Sequence, residues 1–341
     1  MDFARIVLTA AAILLAGVPI AAAQGSLVLY CSVDEAYCRA MSTTFEKQTG
    51  IRVDMTRQSS GETYARLRAE KANPRGDVWW GGTGDPHLQA AEEGLTEEYK
   101  SPLLPQLHDW AQRQAERAQF RTVGIYMGAL GFGYNKEELA RRKLPAPACW
   151  ADLIKPEYKG EVQMADPNSS GTAYTALATF MQLWGEEQAF VYLKKLHANI
   201  SEYTKAGAAP AQSTGKGETL VGIVFQHDII TVAKRNLPVV VVSPCEGTGY
   251  EIGSMSVVKG ARHQAEARRF YDWALTPEAQ QIGAAHGSFQ FPSNRASAIP
   301  AEAPDISKIK LIEYDFATYG STATRTRVLG RWSNEIKNLP R

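Results

Sequence analysis

Short β-type runs alternate with helical stretches in the first part of this chain, and this alternation restricts the fold more than any other feature. The runs cover residues 27–30, 51–55 and 77–80, and helical patterns cover residues 39–48 and the stretch from Ser60 to Lys71. A β-α-β-α-β order predicts a parallel sheet. In open sheets of this kind, ligands bind beyond the carboxyl ends of the strands. The loops that follow the strands are therefore where we look first for a site.

The middle of the chain repeats the alternation and predicts a second lobe. Residues 161–165 and 221–225 have strand patterns, and residues 171–183 have a helical pattern. Single cores stop growing at about 250 to 300 residues, and this chain has 341. Extended, glycine-punctuated stretches at 123–134 and 251–258 are each long enough to belong to two sheets, so we expect the chain to cross between lobes there.

These patterns predict four segments. Residues 1–23 form a leader, and residues 24–123 form the first lobe with a return segment at about 256–275. Residues 124–255 form the second lobe and the crossings, and residues 276–341 form a helical segment packed on the lobes. Two lobes joined by crossing strands can close on a ligand in the cleft between them. The alternative is that these are ordinary strands of one domain.

The leader has the pattern of a cleaved secretory signal peptide. Arg5 provides a positive start, residues 6–20 are apolar, and residues 21–23 are alanines suited to cleavage before Gln24. A membrane anchor is the alternative, but the apolar stretch is shorter than the ~20 residues that a spanning helix needs. The sequence therefore predicts an exported, soluble protein.

Four cysteines favour two disulfides in an oxidising compartment. They are Cys31, Cys38, Cys149 and Cys245, and four thiols allow three pairings. We expect Cys31 to pair with Cys38, which leaves Cys149 to pair with Cys245. A zinc site is the competing interpretation, but the sequence has no CxxC motif and no histidine close to these cysteines. Sequence alone leaves the connectivity open.

The charge balance gives no sign of a nucleic-acid partner. The chain has 37 lysines and arginines against 36 aspartates and glutamates, a formal net charge of +1. The glycine-rich motifs that bind the phosphates of nucleotides are incomplete as well. Gly215-Lys216 lacks the first P-loop glycine, and Gly247-Thr248-Gly249 lacks the third Rossmann glycine. These gaps argue against binding of nucleoside triphosphates or dinucleotides.

Three loops carry hydroxyl groups and glycines next to the start of a predicted helix. They are Ser59-Ser60-Gly61, Gly81-Gly82-Thr83-Gly84 and Ser169-Ser170-Gly171-Thr172. Helix N-termini present free N–H donors and a partial positive charge, and glycine lets a ligand approach the backbone. Helix capping is the simpler explanation for any one of them. Together, the three loops favour an anionic ligand.

A second group of polar residues suits hydroxyl groups. His227 and Asp228 follow the strand-like run 221–225, and Glu251 starts a predicted crossing strand. Buried imidazole and carboxyl groups need hydrogen-bond partners, which a sugar supplies. The alternative is an ordinary structural hydrogen bond. Trp79 and Trp80 offer a stacking face, but one of two adjacent strand residues belongs in the core. Neither Gly-x-Ser-x-Gly nor His-Glu-x-x-His occurs, so no assembled nucleophile is expected.

The chain resembles the periplasmic solute-binding proteins of bacterial ABC importers, in the branch that contains ferric-iron-binding and thiamine-binding proteins. Within that branch it is most similar to the member that captures sugar phosphates. The runs that carry this resemblance are residues 59–64, 79–87, 166–173 and 245–254.

The resemblance implies an α/β, two-lobed Venus flytrap fold of type II with hinge-crossing strands, located in the periplasm. It implies a monomer that binds a hexose 6-phosphate without a cofactor or metal and delivers it to a membrane permease with an ATPase. Carried over by position, the phosphate would be held by Ser59, Thr83, Ser170, Gly171 and Thr172. The sugar would be held by His227, Asp228 and Glu251.

Two other functions stay open at this point. Ferric-binding relatives hold the metal with adjacent tyrosines, whereas none of the 14 tyrosines here has a tyrosine neighbour, and Tyr203 stands alone. Thiamine, a cation, would use the acidic residues but not the anion-binding loops. A phosphatase is a third possibility from a different class.

Overall fold

The computed structural model describes residues 25–340, and the predicted signal peptide with its cleavage point before Gln24 lies outside them. Within this range, no helix is long and apolar enough to cross a bilayer. Ten strands occur between residues 25 and 340: β1 Ser26–Cys31, β2 Arg52–Arg57, β3 Val78–Trp80, β4 Val123–Asn135, β5 Val162–Ala165, β6 Ile200–Thr204, β7 Val221–Phe225, β8 Val239–Val242, β9 Tyr250–Val257 and β10 Phe291–Pro292.

Thirteen α-helices lie between and after the strands of the described range. They are α1 Glu35–Thr49, α2 Ser60–Ala69, α3 Gly84–Glu92, α4 Asp109–Arg117, α5 Lys136–Arg142, α6 Gly171–Trp184, α7 Glu186–Asn199, α8 Ala209–Lys216, α9 Gln226–Ala233, α10 Gln264–Ala274, α11 Pro277–Ala285, α12 Phe316–Tyr319 and α13 Thr322–Trp332. Residues 286–315 are largely irregular, because prolines interrupt the helical pattern there.

The strands form one continuous sheet in the order β2-β1-β3-β9-β4-β7-β5-β6, with β8 and β10 also paired to β4. The pairs β1–β2, β1–β3, β5–β6 and β5–β7 are parallel, as the alternation predicted. The antiparallel strands β9 and β4 stand in the middle and join the two parallel groups. The structure is therefore a mixed α/β fold of the two-lobed type.

Strand β4 connects the two halves of the sheet. Its residues 123–129 pair with β9, and residues 130–135 pair with β7 and β8. Strand β9 differs from the sequence expectation, since within the described sheet it pairs with β3 and with the first part of β4. The pairing is antiparallel on both sides of β9, so this strand continues the first half of the sheet instead of entering the second.

Each half of the sheet has its own hydrophobic core. The first contains Leu29, Phe45 and Phe270, and the second contains Phe132, Trp150 and Phe180, each fully buried. The C-terminal helix α13 packs on the second core through Val328 and Trp332, while α11 contacts α1 in the first half. The four-segment division drawn from the sequence remains a proposal.

Both disulfide pairings are confirmed. Cys31 is bonded to Cys38, which ties the end of β1 to α1, and Cys149 is bonded to Cys245. No free cysteine occurs within the described range, so the zinc interpretation has no thiolate to use. Trp79 and Trp80 are both buried, and Trp79 stacks on His87 with ring centroids 3.6 Å apart. Neither indole is therefore available as a ligand platform.

Candidate functional site

One cavity between the two halves is lined by all eight of the residues predicted to bind a ligand. It contains about 470 Å³ of space, including the part open to solvent. The predicted residues on its wall are Ser59, Thr83, Ser170, Gly171, Thr172, His227, Asp228 and Glu251. They come from loops, from the first turns of helices and from one strand, separated by up to 192 residues in sequence, which is 251 − 59, so the fold brings them together.

Six helices begin at this cavity. Each follows a strand of one of the two parallel groups, and the residue that precedes its first turn lines the wall. These residues are Asp34 before α1, Ser59 before α2, Thr83 before α3, Ser170 before α6, Ala208 before α8 and Phe225 before α9. The first-turn N–H groups of a helix lack intrahelical acceptors and carry partial positive charge. Six converging N-termini make the cavity suitable for an anion.

Glycines allow the three loops that carry hydroxyl groups to approach one another. Gly82 has a φ of +84°, and a Cβ there would lie 2.3 Å from Ser60 Oγ. At Gly171, the first residue of α6, a Cβ would lie 1.9 Å from Thr83 Oγ1. Gly171 belongs to the second half and Thr83 to the first. The contact is possible only because position 171 has no side chain.

The hydroxyl groups of the three predicted loops differ in what they bond. Ser60 Oγ accepts a hydrogen bond from the Thr83 backbone N–H at 3.3 Å, and Ser170 Oγ accepts from the Ala173 N–H at 3.4 Å. Ser59 Oγ donates to the Lys205 carbonyl oxygen at 3.3 Å. Thr83 Oγ1 is buried and has no partner among the described residues. Because an unpaired buried hydroxyl is costly, Thr83 is the hydroxyl best placed to serve a ligand.

The other end of the cavity is acidic and buried. His227 and Asp228 lie in the first turn of α9, and Glu251 lies on β9. His227 Nε2 is 3.6 Å from Asp228 Oδ1 and 4.0 Å from Glu251 Oε1. Gly128 makes room for this group, since a Cβ there would lie 2.7 Å from His227 Nδ1. The three side chains therefore form one cluster that reaches from the second half to β9.

Burial decides the protonation of this cluster. It lowers the pKa of His227 to about 3, so the imidazole is neutral. Burial also raises the pKa of Asp228 well above its usual value, with a further contribution from the nearby Asp34 carboxylate. The pKa of Glu251 is raised by burial and then by the carboxylates of Asp228 and Asp85. Burial thus disfavours the charged form of all three side chains, and the cluster offers hydrogen-bond donors and acceptors that suit a polyhydroxylated ligand.

The sequence analysis missed several residues of the wall. Asp34 and Arg57 come from the first half, directly after β1 and at the end of β2, and Tyr126 comes from β4. Arg57 Nε donates to the Val33 carbonyl oxygen at 3.0 Å. Asp34 and Arg57 obey the same strand-end rule that led to Ser59, so that rule could have found them. Gln290, in the irregular segment before β10, carries no such signal.

Direct contacts across the cavity show that its two walls are closed on each other. The Gly61 N–H donates to the Ser169 carbonyl oxygen at 3.0 Å. Lys205 Nζ lies 2.7 Å from Glu62 Oε1, although the lysine side chain is 77% exposed. Gly61 and Glu62 start α2 in the first half, while Ser169 and Lys205 belong to the second half. The structure therefore represents the closed arrangement.

The wall does not fit a ferric-iron site of the tyrosine-pair type. Among the residues that line the cavity, the one tyrosine is Tyr126, and its hydroxyl accepts a hydrogen bond from the Gly82 N–H at 2.8 Å. Tyr203 is not part of the wall, and its hydroxyl lies 2.8 Å from His197 Nδ1. A hard trivalent ion needs anionic oxygen ligands, which a single engaged phenol does not supply.

Comparisons with known proteins agree with this geometry. An uncharacterized protein of Haemophilus influenzae is 44% identical over 343 residues, which is 99% of each chain. Among solved structures, the chain is similar to the periplasmic binding protein AfuA from Actinobacillus pleuropneumoniae, which was solved with exogenous fructose-6-phosphate bound. The two are 45% identical with a TM-score of 0.91, and the match covers 93% of this chain and all of that one. Iron-bound HitA from Pseudomonas aeruginosa shares the fold alone. It is 19% identical with a TM-score of 0.75, and the match covers 89% of this chain and 98% of that one.

A family model described as "Bacterial extracellular solute-binding protein" matches residues 83–318. That range begins after β3 and includes all the strands from β4 to β10, and it contains seven of the eight predicted site residues, all except Ser59. The match extends over more than half of the chain, and the identity with two full-length relatives exceeds 40%. The chain belongs to the bacterial extracellular solute-binding protein family.

Proposed function

We propose that this protein is the periplasmic binding component of an ABC importer and captures a sugar phosphate of the hexose 6-phosphate type. In this proposal, residues 1–23 direct export and are removed, and the mature protein is a monomer in the periplasm. It delivers its ligand to a membrane permease with an ATPase and catalyses no reaction. The family membership and the fructose-6-phosphate in the AfuA structure support the ligand class.

The observation that carries the proposal is the division of one cavity into two chemistries. The N-termini of α2, α3 and α6, which follow Ser59, Thr83 and Ser170, provide donors for a phosphate monoester, which carries about −1.5 to −2 charges near neutral pH. The buried cluster of His227, Asp228 and Glu251 provides partners for sugar hydroxyls. We assign the phosphate to Ser59, Thr83, Ser170, Gly171 and Thr172. The carboxyl groups should lie at the opposite end from the phosphate, because they would repel it at short range.

A ligand panel tests the proposal. We expect glucose 6-phosphate or fructose 6-phosphate to raise the melting temperature, because a ligand that binds only the folded state stabilises it. Glucose, Fe(III) and thiamine should leave it unchanged, and inorganic phosphate serves as the control for the anion alone. Equal shifts from glucose and glucose 6-phosphate would contradict the phosphate requirement. A coloured ferric complex that persists when His227 is replaced would favour the iron alternative.

The absence of catalysis needs a separate measurement. Neither Gly-x-Ser-x-Gly nor His-Glu-x-x-His occurs in the sequence, so no assembled nucleophile is expected. Prolonged incubation with glucose 6-phosphate should release no inorganic phosphate above the rate of a heat-denatured sample. Enzyme-dependent phosphate release would establish a phosphatase instead.

A further inference from the structure

Glu251 is a buried carboxyl group that no side chain of the described residues neutralises. It is 4% exposed and lines the cavity from β9. The His227 Nε2 lies 4.0 Å from Glu251 Oε1, beyond hydrogen-bond distance. Within the described part of the chain, the Glu251 carboxyl makes no hydrogen bond. Such a group needs a donor from the ligand.

The charges on the cavity wall leave Glu251 without a cation. The ionisable acids that line the wall are Asp34, Asp228 and Glu251, and the one permanently cationic side chain there is Arg57. The Arg57 guanidinium acts on Asp34 and Asp228, where it opposes the effect of burial. No cation acts in this way on Glu251.

The other groups around Glu251 do not compensate. Asp228 and Asp85 are acidic, and their charges disfavour an ionised Glu251. The Tyr126 phenol is held protonated by burial and by the charge of Glu251. His227 is neutral because of burial, and the Gln290 side chain approaches that imidazole at 3.4 Å. The ligand therefore has to supply any positive charge that Glu251 receives.

A neutral sugar and an amino sugar would satisfy this site differently. A hydroxyl group donates one hydrogen bond and leaves the carboxyl with no counter-charge. An ammonium group donates hydrogen bonds and also stabilises the ionised form of the carboxyl group, which burial otherwise disfavours. Charge-assisted hydrogen bonds are about twice as strong as neutral ones. Resting on the function proposed above, we propose that the cavity also binds amino-sugar phosphates, with the ammonium group on Glu251 and the phosphate on the helix N-termini.

Glucosamine 6-phosphate and glucose 6-phosphate provide a matched test, because they differ by an ammonium in place of one hydroxyl. Calorimetric titration at pH 7 of the full mature protein should give glucosamine 6-phosphate an affinity at least equal to that of glucose 6-phosphate. In Glu251→Gln, we expect the affinity for glucosamine 6-phosphate to fall at least tenfold more than the affinity for glucose 6-phosphate. Glu278→Gln, at an exposed position in α11, is the charge-loss control and should change neither.

Two results would overturn this inference. One is a glucosamine 6-phosphate affinity more than tenfold below that of glucose 6-phosphate for the unmodified protein. The other is an equal loss of both affinities in Glu251→Gln. The comparison of ligands on the unmodified protein decides the matter even if the variant does not fold. If glucose 6-phosphate binds and its amino analogue does not, the proposed function stands and the amino-sugar inference fails. If neither binds, both fail.

Discussion

Replacing Gly171 with alanine should prevent full closure of the cavity without disturbing either half. An ideal Cβ at position 171 lies 1.9 Å from Thr83 Oγ1 and 2.9 Å from Thr83 Cβ. Ordinary contact begins near 3.4 Å, so the walls must separate by about 1.5 Å, which is 3.4 − 1.9, if the Thr83 side chain keeps its rotamer. If the Thr83 side chain rotates, the contact with its Cβ remains and still requires about 0.5 Å, which is 3.4 − 2.9. The new methyl group therefore acts as a spacer between the walls.

The loss of affinity follows from the hydrogen bonds that a displacement of this size breaks. Hydrogen bonds to a charged group contribute about 1.5–3 kcal/mol each, and donors on both walls would no longer reach one phosphate together. We expect G171A to weaken glucose 6-phosphate binding by about 2–4 kcal/mol, roughly 30- to 700-fold. Calorimetric titration measures the affinity, and small-angle scattering measures the closure. The ligand should compact the unmodified protein and leave G171A more open.

Two further variants separate this explanation from a general effect of the substitution. Gly330→Ala in α13 adds a Cβ with no atom within 4 Å, so its affinity should match that of the unmodified protein. Adding Thr83→Ala to G171A removes the 1.9 Å contact and should restore part of the closure, although not the Thr83 hydroxyl. The reasoning is refuted if G171A binds the sugar phosphate normally and compacts as the unmodified protein does.

Three other predictions concern the cleft mouth, the buried acid and the longer disulfide. Gly61→Ala should weaken ligand binding at least tenfold in calorimetric titration, because the new Cβ would lie 2.7 Å from the Asn168 carbonyl oxygen across the cleft. Lys205→Ala should change the affinity less than threefold, since the ion pair that Lys205 forms with Glu62 is exposed and such pairs contribute little. Burial raises the pKa of Glu251, so the protonated carboxyl contributes stability below its unfolded pKa of about 4.3, and this contribution is lost as pH rises through the folded pKa. Between pH 5 and 8, the ligand-free Glu251→Gln variant should therefore lose less stability than the unmodified protein. Melting temperatures that fall equally with pH in the two proteins would contradict this. Replacing Cys149 and Cys245 with alanines removes a disulfide that joins positions 96 residues apart. The free energy of unfolding, measured in guanidinium, should fall by about 4–5 kcal/mol. A loss below 1 kcal/mol would show that the disulfide does not restrain the unfolded chain.

The sequence was sufficient to predict those parts of the site that follow a local rule. Strand, hydroxyl loop and helix recur at Ser59, Thr83 and Ser170, and the parallel pairing of the strands brings these loops to one edge. Applied to β1 and β2, the same rule would have included Asp34 and Arg57. Those two residues were missed because no run of hydroxyls or glycines marks them.

Other features depend on tertiary packing and have no local signal. Gln290 reaches the wall from an irregular segment, and its place depends on how residues 286–293 return beside β4. The extended pattern at residues 251–258 does not reveal that β9 pairs only within the first half of the described sheet, because strand partners are chosen by packing and not by propensity. The burial of both Trp79 and Trp80 also depends on packing, since Trp80 contacts Tyr37 of α1 and Trp79 stacks on His87 of α3.

In the proposed function, the donors at the anion end explain why capture can remain reversible. None of the three predicted anion loops contains a lysine or arginine, so their donors are backbone N–H groups and hydroxyls that are fixed by the fold. Such donors stay where they are when the ligand leaves, and they cost little reorganisation when it binds. Because they come from both halves, they can all contact one phosphate only when the cavity is closed. The ligand thus favours closure by binding the closed form better, and any partner that separates the halves releases it by moving donors on one wall away from the phosphate.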